Sequence, residues 1–192
     1  MSAFVKNILI VGVGGQGTLL ASKLMGKAFM AENYDVKVSE VHGMSQRGGS
    51  VVTYVRYGDK VFSPVIEKGE ADIIIAFEQL EAARWLPYLK PDGIMIVSTQ
   101  CIDPMPVIMG NAVYPCEILS SLKEKGVEII CVNALELATE AGSAKATNVV
   151  LLGVAAHYLG LDKEKWVDII RTTVPPKTVA INEKAFELGY QA

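Results

Sequence analysis

The chain has 192 residues, 51% of them hydrophobic and 20% charged, and a formal net charge of −3; its mean hydropathy is +0.31. That length suits one domain with a real core, and the apolar share points to wide buried faces or a partner surface. No uninterrupted apolar run approaches the ~20 residues of a bilayer span, and the absence of a long basic run argues against nucleic acid as a partner.

Residues 1–6 lead straight into the first strand with no signal-peptide pattern. Asn7-Ile8-Leu9-Ile10-Val11 is a short apolar run rich in β-branched side chains and reads as a buried strand. Gly12, Gly14 and Gly17 follow with G-x-G-x-x-G spacing. Residues 18–33 then read as a helix, with Leu19, Leu20, Leu24, Ala28 and Phe29 forming its apolar face. This spacing allows a tight turn, close approach of backbone to a phosphate and close packing of helix on strand, and the free N–H groups of a helix start favour an anion. Two readings stay open: a bare strand-to-helix turn, or a dinucleotide or phosphate site built from Gly12, Gly14, Gly15, Gln16, Gly17 and Thr18.

Val36, Val38 and Val41 mark a second strand after the polar break Asn33-Tyr34-Asp35. Glu40 sits at its end, either as the acid that holds a ribose hydroxyl or as an ordinary polar residue. The stretch His42-Gly43-Met44-Ser45-Gln46-Arg47-Gly48-Gly49-Ser50 is polar and glycine-rich. It lies past a strand's carboxyl end, where open α/β sheets bind ligands. Arg47 offers a fork of donors for phosphate or carboxylate, Gly48 and Gly49 can expose N–H groups, and Ser45, Gln46 and Ser50 add hydroxyl and amide groups.

Residues 51–57 alternate like a strand, Gly58-Asp59 turns, and residues 61–65 return, so a β-hairpin is expected, with Pro64 suiting an edge. Residues 71–77 are the clearest buried strand, with Glu78 at its carboxyl end. A helix over 78–90, a turn at Pro91-Asp92-Gly93 and a strand over 94–98 follow. A loop over 99–106, a short strand at 112–115, a helix over 116–125 and a strand over 127–132 come next. Asn133 is the expected N-cap of a helix over 134–140, which Gly142 closes. Ser143 caps a helix over 144–159 that is apolar nearly all round, so it is buried in the domain or packs on another subunit. Asp162 begins a helix with Trp166, Val174-Pro175-Pro176 breaks it, and residues 177–190 form the last helix. The expected fold is an α/β, Rossmann-like three-layer sandwich. Its sheet is mostly parallel with an antiparallel hairpin edge, followed by a helical C-terminal tail, all in a single domain over 1–192.

Cys101, Cys116 and Cys131 match no Cys-x-x-Cys cluster or zinc spacing and read as free thiols of a reducing, cytoplasmic compartment. His42 and His157 are the only histidines, too few for a His-rich metal site. No side chain stands out as a general acid or base.

Two runs together, Gly12-Val13-Gly14-Gly15-Gln16-Gly17 and Ser39-Glu40-Val41-His42-Gly43-Met44-Ser45-Gln46-Arg47-Gly48-Gly49-Ser50-Val51, resemble the gamma-type component of the 2-oxoacid:ferredoxin oxidoreductases, and within that family its indolepyruvate branch. The second run is long and unusual, and the resemblance extends over nearly the whole chain. It implies a subunit of a thiamine-diphosphate enzyme that decarboxylates 2-oxo acids, here aryl pyruvates, to acyl-coenzyme A and passes electrons to ferredoxin. A large partner subunit would hold the thiamine diphosphate, Mg2+ and iron–sulfur clusters, with none bound firmly by this chain alone. The glycine turn and residues 42–50 would face that subunit and help hold coenzyme A or substrate. The alternatives are a standalone dinucleotide-binding oxidoreductase using Glu40, or a nucleotide-binding scaffold subunit that docks through residues 144–159.

Overall fold

A computed structural model describes residues 4–42 and 49–192, the side chain of His42 excepted. Six strands form one sheet in the order β2-β3-β1-β4-β5-β6: β1 (Val5–Val13), β2 (Asp35–His42), β3 (Ser50–Gly58), β4 (Ala71–Ala76), β5 (Leu89–Ser98) and β6 (Glu128–Val132). β1, β4, β5 and β6 pair parallel, while β3 runs antiparallel to both β1 and β2. β3 is therefore the one reversed strand among the described residues. The other five all finish on the edge of the sheet where β3 begins, and that edge carries the candidate site.

The alternation of side chains along the strands sends two sets of apolar residues to opposite faces. Ile8, Ile10, Val55, Tyr57, Ile73, Ile75 and Phe77 meet α1 (Thr18–Ala31), α5 (Ala134–Ala141), α6 (Thr147–Ala156), α7 (Lys163–Thr173) and α8 (Val179–Gln191). Leu9, Val11, Val52, Ile74, Ala76, Met95 and Val97 meet the thinner layer of α2 (Gln79–Trp85) and α4 (Ile118–Glu124). The result is the expected three-layer α/β sandwich with an antiparallel edge.

All ten residues of α6 are buried, so its all-round apolar character is spent inside the molecule. It lies so close to α8 that a Cβ on Gly153 would come 2.3 Å from the Phe186 carbonyl oxygen, and one on Gly189 would come 2.0 Å from that of Val150. Each glycine gives the other helix room.

Four expectations need correction. Residues 61–65 form no strand, because β1 and β2 already occupy both edges of β3. Arg56 instead donates from Nη1 to the Ser63 and Val65 carbonyls and pins that segment across the sheet's end. The helix expected over 78–90 stops at Trp85. A short 3-10 turn at Leu86–Tyr88 contains Pro87, whose ring and missing N–H prevent continuation. Leu89 is already in β5, paired with Ala71, so Pro91-Asp92-Gly93 lies in an irregular strand segment rather than in a turn. Residues 112–115 are not a strand: the one-turn helix α3 (Met105–Ile108) precedes them, Ala112 N–H bonds back to the Pro106 carbonyl, and Tyr114 turns its hydroxyl inward to Glu78.

Candidate functional site

The glycine turn joins β1 to α1 at the carboxyl edge. Gly12 is still in the strand, and a Cβ there would lie 2.8 Å from Gln16 Oε1 and 3.0 Å from Phe77 Cβ, so glycine is needed for close approach. Gly14 donates its N–H to the Gly49 carbonyl at 2.9 Å. Gly15 has φ +102° and nothing within 4 Å of a Cβ position, making it the open point of the turn. Gly17, at φ +85°, is the N-cap of α1. Its carbonyl accepts from Asn148 Nδ2 at 3.0 Å, and a Cβ would strike that amide at 2.7 Å.

Gln16 turns inward. Its Oε1 accepts from Val13 N–H at 2.7 Å, and its Nε2 donates to the Phe77 carbonyl at 3.0 Å and to Gln100 Oε1 at 3.2 Å. It is a strut for the turn. Thr18 is buried and donates from Oγ1 to Glu40 Oε1 at 3.3 Å. Glu40 thus meets the start of α1 from within β2, two residues before the strand's end.

α1 has no side-chain cap and no acid in its first turn, so its leading N–H groups carry the helix's positive end unneutralised from within the helix. Beside it opens a cleft of about 570 Å³ lined by Gly15, Gln16, Gly17, Lys145 and Asn148, among others. Lys145 is the one charged residue lining this cleft among the described residues. It sits in the short 3-10 turn Ala144–Ala146 ahead of α6, where Ser143 Oγ accepts from its backbone N–H. The turn is therefore electrically lopsided: an acid meets it from β2, and a lysine lies on the α6 side. An uncapped helix start, open glycine backbone and one ammonium suit a phosphate or carboxylate group.

Gly49 and Ser50 stand at the same edge. Ser50 pairs with Val13 and donates from Oγ to Glu81 Oε2 at 2.5 Å. A smaller hollow of about 220 Å³ is lined there by Val13, Gly49, Ser50, Glu78, Glu81 and Arg84 with residues 102–105. His42 closes β2 opposite Val51 in backbone terms. Its side chain, and Ser45, Gln46, Arg47 and Gly48, lie outside the described residues. The structure thus brings together Gly12, Gly14, Gly15, Gln16, Gly17, Thr18, Glu40, Gly49 and Ser50.

Sequence reading missed Lys145, Asn148 and Gln100, which reach the turn only through the fold. It noticed Glu78 at a strand end but not that Glu78 and Glu81 are buried, at 1% and 4% exposure. Burial raises the Tyr114 hydroxyl far above the ordinary tyrosine value, and its bond to Glu78 adds to the shift. Among the described residues no three His, Cys, Asp or Glu side chains gather as a metal site. Cys101, Cys116 and Cys131 are free and exposed on separate segments and do not make a cluster-binding set.

Comparison with known proteins identifies the family. The family described as pyruvate ferredoxin/flavodoxin oxidoreductase matches residues 7–192. The chain is 45% identical over 191 residues to indolepyruvate oxidoreductase subunit IorB of Thermococcus kodakarensis, covering 97% of this chain and 95% of that one. The solved keto/oxoacid ferredoxin oxidoreductase gamma subunit of Geobacter sulfurreducens superposes with a TM-score of 0.72 at 23% identity, over 97% of this chain and 96% of the other. The 2-oxoglutarate:ferredoxin oxidoreductase of Magnetococcus marinus, solved with 2-oxoglutarate, coenzyme A and succinyl-CoA, contains the same fold at a TM-score of 0.75 and 18% identity. That likeness covers 97% of this chain and 30% of that one. These two structures speak for the fold, whereas the family match and the 45% relative settle descent. With a family match over residues 7–192 and a relative 45% identical over 97% of its length, the chain belongs to the pyruvate ferredoxin/flavodoxin oxidoreductase family.

Proposed function

We propose that this chain is the small subunit of a thiamine-diphosphate-dependent 2-oxoacid:ferredoxin oxidoreductase acting on indolepyruvate and related aryl pyruvates. The complex decarboxylates the oxo acid, transfers the acyl group to coenzyme A and passes electrons to ferredoxin. The chain's own part is to dock its carboxyl edge on a larger subunit and to hold an anionic group of coenzyme A or substrate there. Thiamine diphosphate, Mg2+ and iron–sulfur clusters belong to the larger subunit in this reading.

The observation that carries the reading is the cleft beside the glycine turn, where the open Gly15, the uncapped start of α1 and Lys145 converge. Arg47, in the stretch between β2 and β3, supplies a second cation by sequence. The segment over 101–116 at the same edge exposes Met105, Ile108, Met109 and Val113, an apolar surface suited to a partner subunit. The family match over residues 7–192 favours this subunit role over a standalone dinucleotide-binding enzyme.

The test is steady-state kinetics on the assembled complex with Lys145→Ala and Arg47→Ala. Removing a charge-assisted bond of about 1.5–3 kcal/mol raises KM for coenzyme A or oxo acid by roughly 10- to 140-fold. Unchanged KM values for both substrates in both variants would refute it. Native mass spectrometry should show the larger companion.

A further inference from the structure

The glycine turn does not hold itself in place. Gln16 hangs from the Phe77 carbonyl and from Gln100, and Gly14 hangs from the Gly49 carbonyl. Gln100 is itself tied to residue 79, because its carbonyl accepts from Gln79 N–H at 3.1 Å. So the turn is suspended from residues 77–79 on one side and 49–50 on the other.

Both supports meet at two buried carboxylates. Glu78 lies between Phe77 and Gln79 and accepts from Glu81 N–H at 2.9 Å, from Ile102 N–H at 3.2 Å and from the Tyr114 hydroxyl. Glu81 accepts from Ser50 Oγ at 2.5 Å and from Arg84 Nε at 3.1 Å. An exposed Ser or Asp would cap a seven-residue helix just as well. Burying two carboxylates is costly unless each is fully bonded, and such networks fix the geometry of what they touch. Here they touch two separate segments of the carboxyl edge: the start of β3, through Ser50, and the 101–116 segment, through Ile102 and Tyr114.

We propose that Glu78 and Glu81 are positioning residues for the glycine turn, holding the Tyr114 segment, Ser50 and the turn in one hydrogen-bonded frame. The placement of the exposed 101–116 segment then sets how the turn presents Gly15 and the start of α1. For its kinetic readout the inference rests on the coenzyme A reading above. For its structural readout it does not.

The test uses the assembled complex with Tyr114→Phe, Ser50→Ala, the double variant and Ser50→Thr. Hydrogen–deuterium exchange at the peptide covering residues 12–18 is the primary measurement. Tyr114→Phe and Ser50→Ala each speed exchange there, and Ser50→Thr, which keeps the hydroxyl, restores the original rate. Each of the two also raises KM for coenzyme A by about 2- to 30-fold with kcat unchanged, the span of coupling through packed networks. The double variant falls short of the product of the single effects by more than about twofold, as neighbours in one network do. Unchanged exchange over residues 12–18 in Tyr114→Phe overturns the inference whatever KM does, and so does strict multiplicativity of the two KM increases where both occur. Faster exchange, with KM for coenzyme A unmoved in these variants and in Lys145→Ala, leaves the positioning frame standing and removes the coenzyme A reading alone.

Discussion

Gln16 is the most direct place to test whether the glycine turn is braced from within. Its side chain closes three hydrogen bonds, to Val13 N–H, the Phe77 carbonyl and Gln100. Phe77 is fully buried, so its carbonyl has no water to fall back on. Gln16→Ala removes all three bonds and strands two backbone groups. At about 1 kcal/mol for each neutral bond, with a buried orphan costing about 1–3 kcal/mol, the loss is about 3 kcal/mol. For a domain of this size that lowers Tm by roughly 6–12 °C. Gln16→Glu separates bracing from volume. It keeps the acceptor for Val13 but points a carboxylate oxygen at two other oxygens, so it should destabilise at neutral pH. Its charged form is disfavoured in the fold, which raises the introduced carboxyl's folded pKa. Folding is then favoured below the ordinary glutamate value, near 4.3, and the penalty grows as pH rises through the raised one. Thermal and urea unfolding, followed by the fluorescence of Trp85 and Trp166, measures both. A loss below about 1 kcal/mol in both variants, with no pH dependence in Gln16→Glu, would refute the bracing role.

Gly153→Ala should destabilise by about 3 kcal/mol, because the new methyl meets backbone of α8 that cannot yield without separating two helices, and thermal melting reads it directly. Gly26→Ala has the opposite sign: the nearest atom to its Cβ is Val38 Cγ2 at an ordinary 3.7 Å, so better helix propensity should add about 0.5–1 kcal/mol. Gly17→Ala forces a side chain into left-handed backbone against Asn148, and should cost about 1–2 kcal/mol and disturb the cleft. Burial, ahead of any charge effect, raises the hydroxyls of Tyr57 and Tyr114 above the ordinary value of 10.0. Their stabilisation is complete below that value and is lost as pH climbs past it, because the unfolded chain ionises first. Absorbance at 295 nm should therefore show these two of the seven tyrosines ionising only as the protein unfolds, and Tyr57→Phe should flatten the alkaline loss.

The legible part of this fold was local. Residues 8–11 and 73–76 carry unbroken apolar runs that only a doubly covered strand can use, and Asn133, Ser143 and Gly142 marked helix ends through side-chain caps and left-handed backbone that the structure reproduces. The hairpin was half legible. Its alternation identified β3, but nothing within residues 50–65 says that β3 inserts between β2 and β1, because that choice depends on partners distant in the chain. The same limit governs the site. G-x-G-x-x-G spacing located the turn, whereas the inward direction of Gln16 depends on Phe77 and Gln100, and Lys145 and Asn148 reach the turn from the start of α6 and the 3-10 turn before it, distant in the chain. Glu78 was visible as an acid at a strand end, but its burial beneath Tyr114 was not.

The reversed strand has a consequence for how this fold can vary. A strand parallel to its neighbours would enter the carboxyl edge only through a crossover whose length is fixed by the helix it contains. β3 starts at that edge, directly opposite the end of β2, and the stems of the intervening stretch are locked by the pairs His42–Val51 and Val41–Val52. Residues can be exchanged, added or removed between those stems without rethreading any helix or shifting either core. The sheet thus leaves, between two paired stems, a stretch whose residues and length can change while the framework on both sides stays in register.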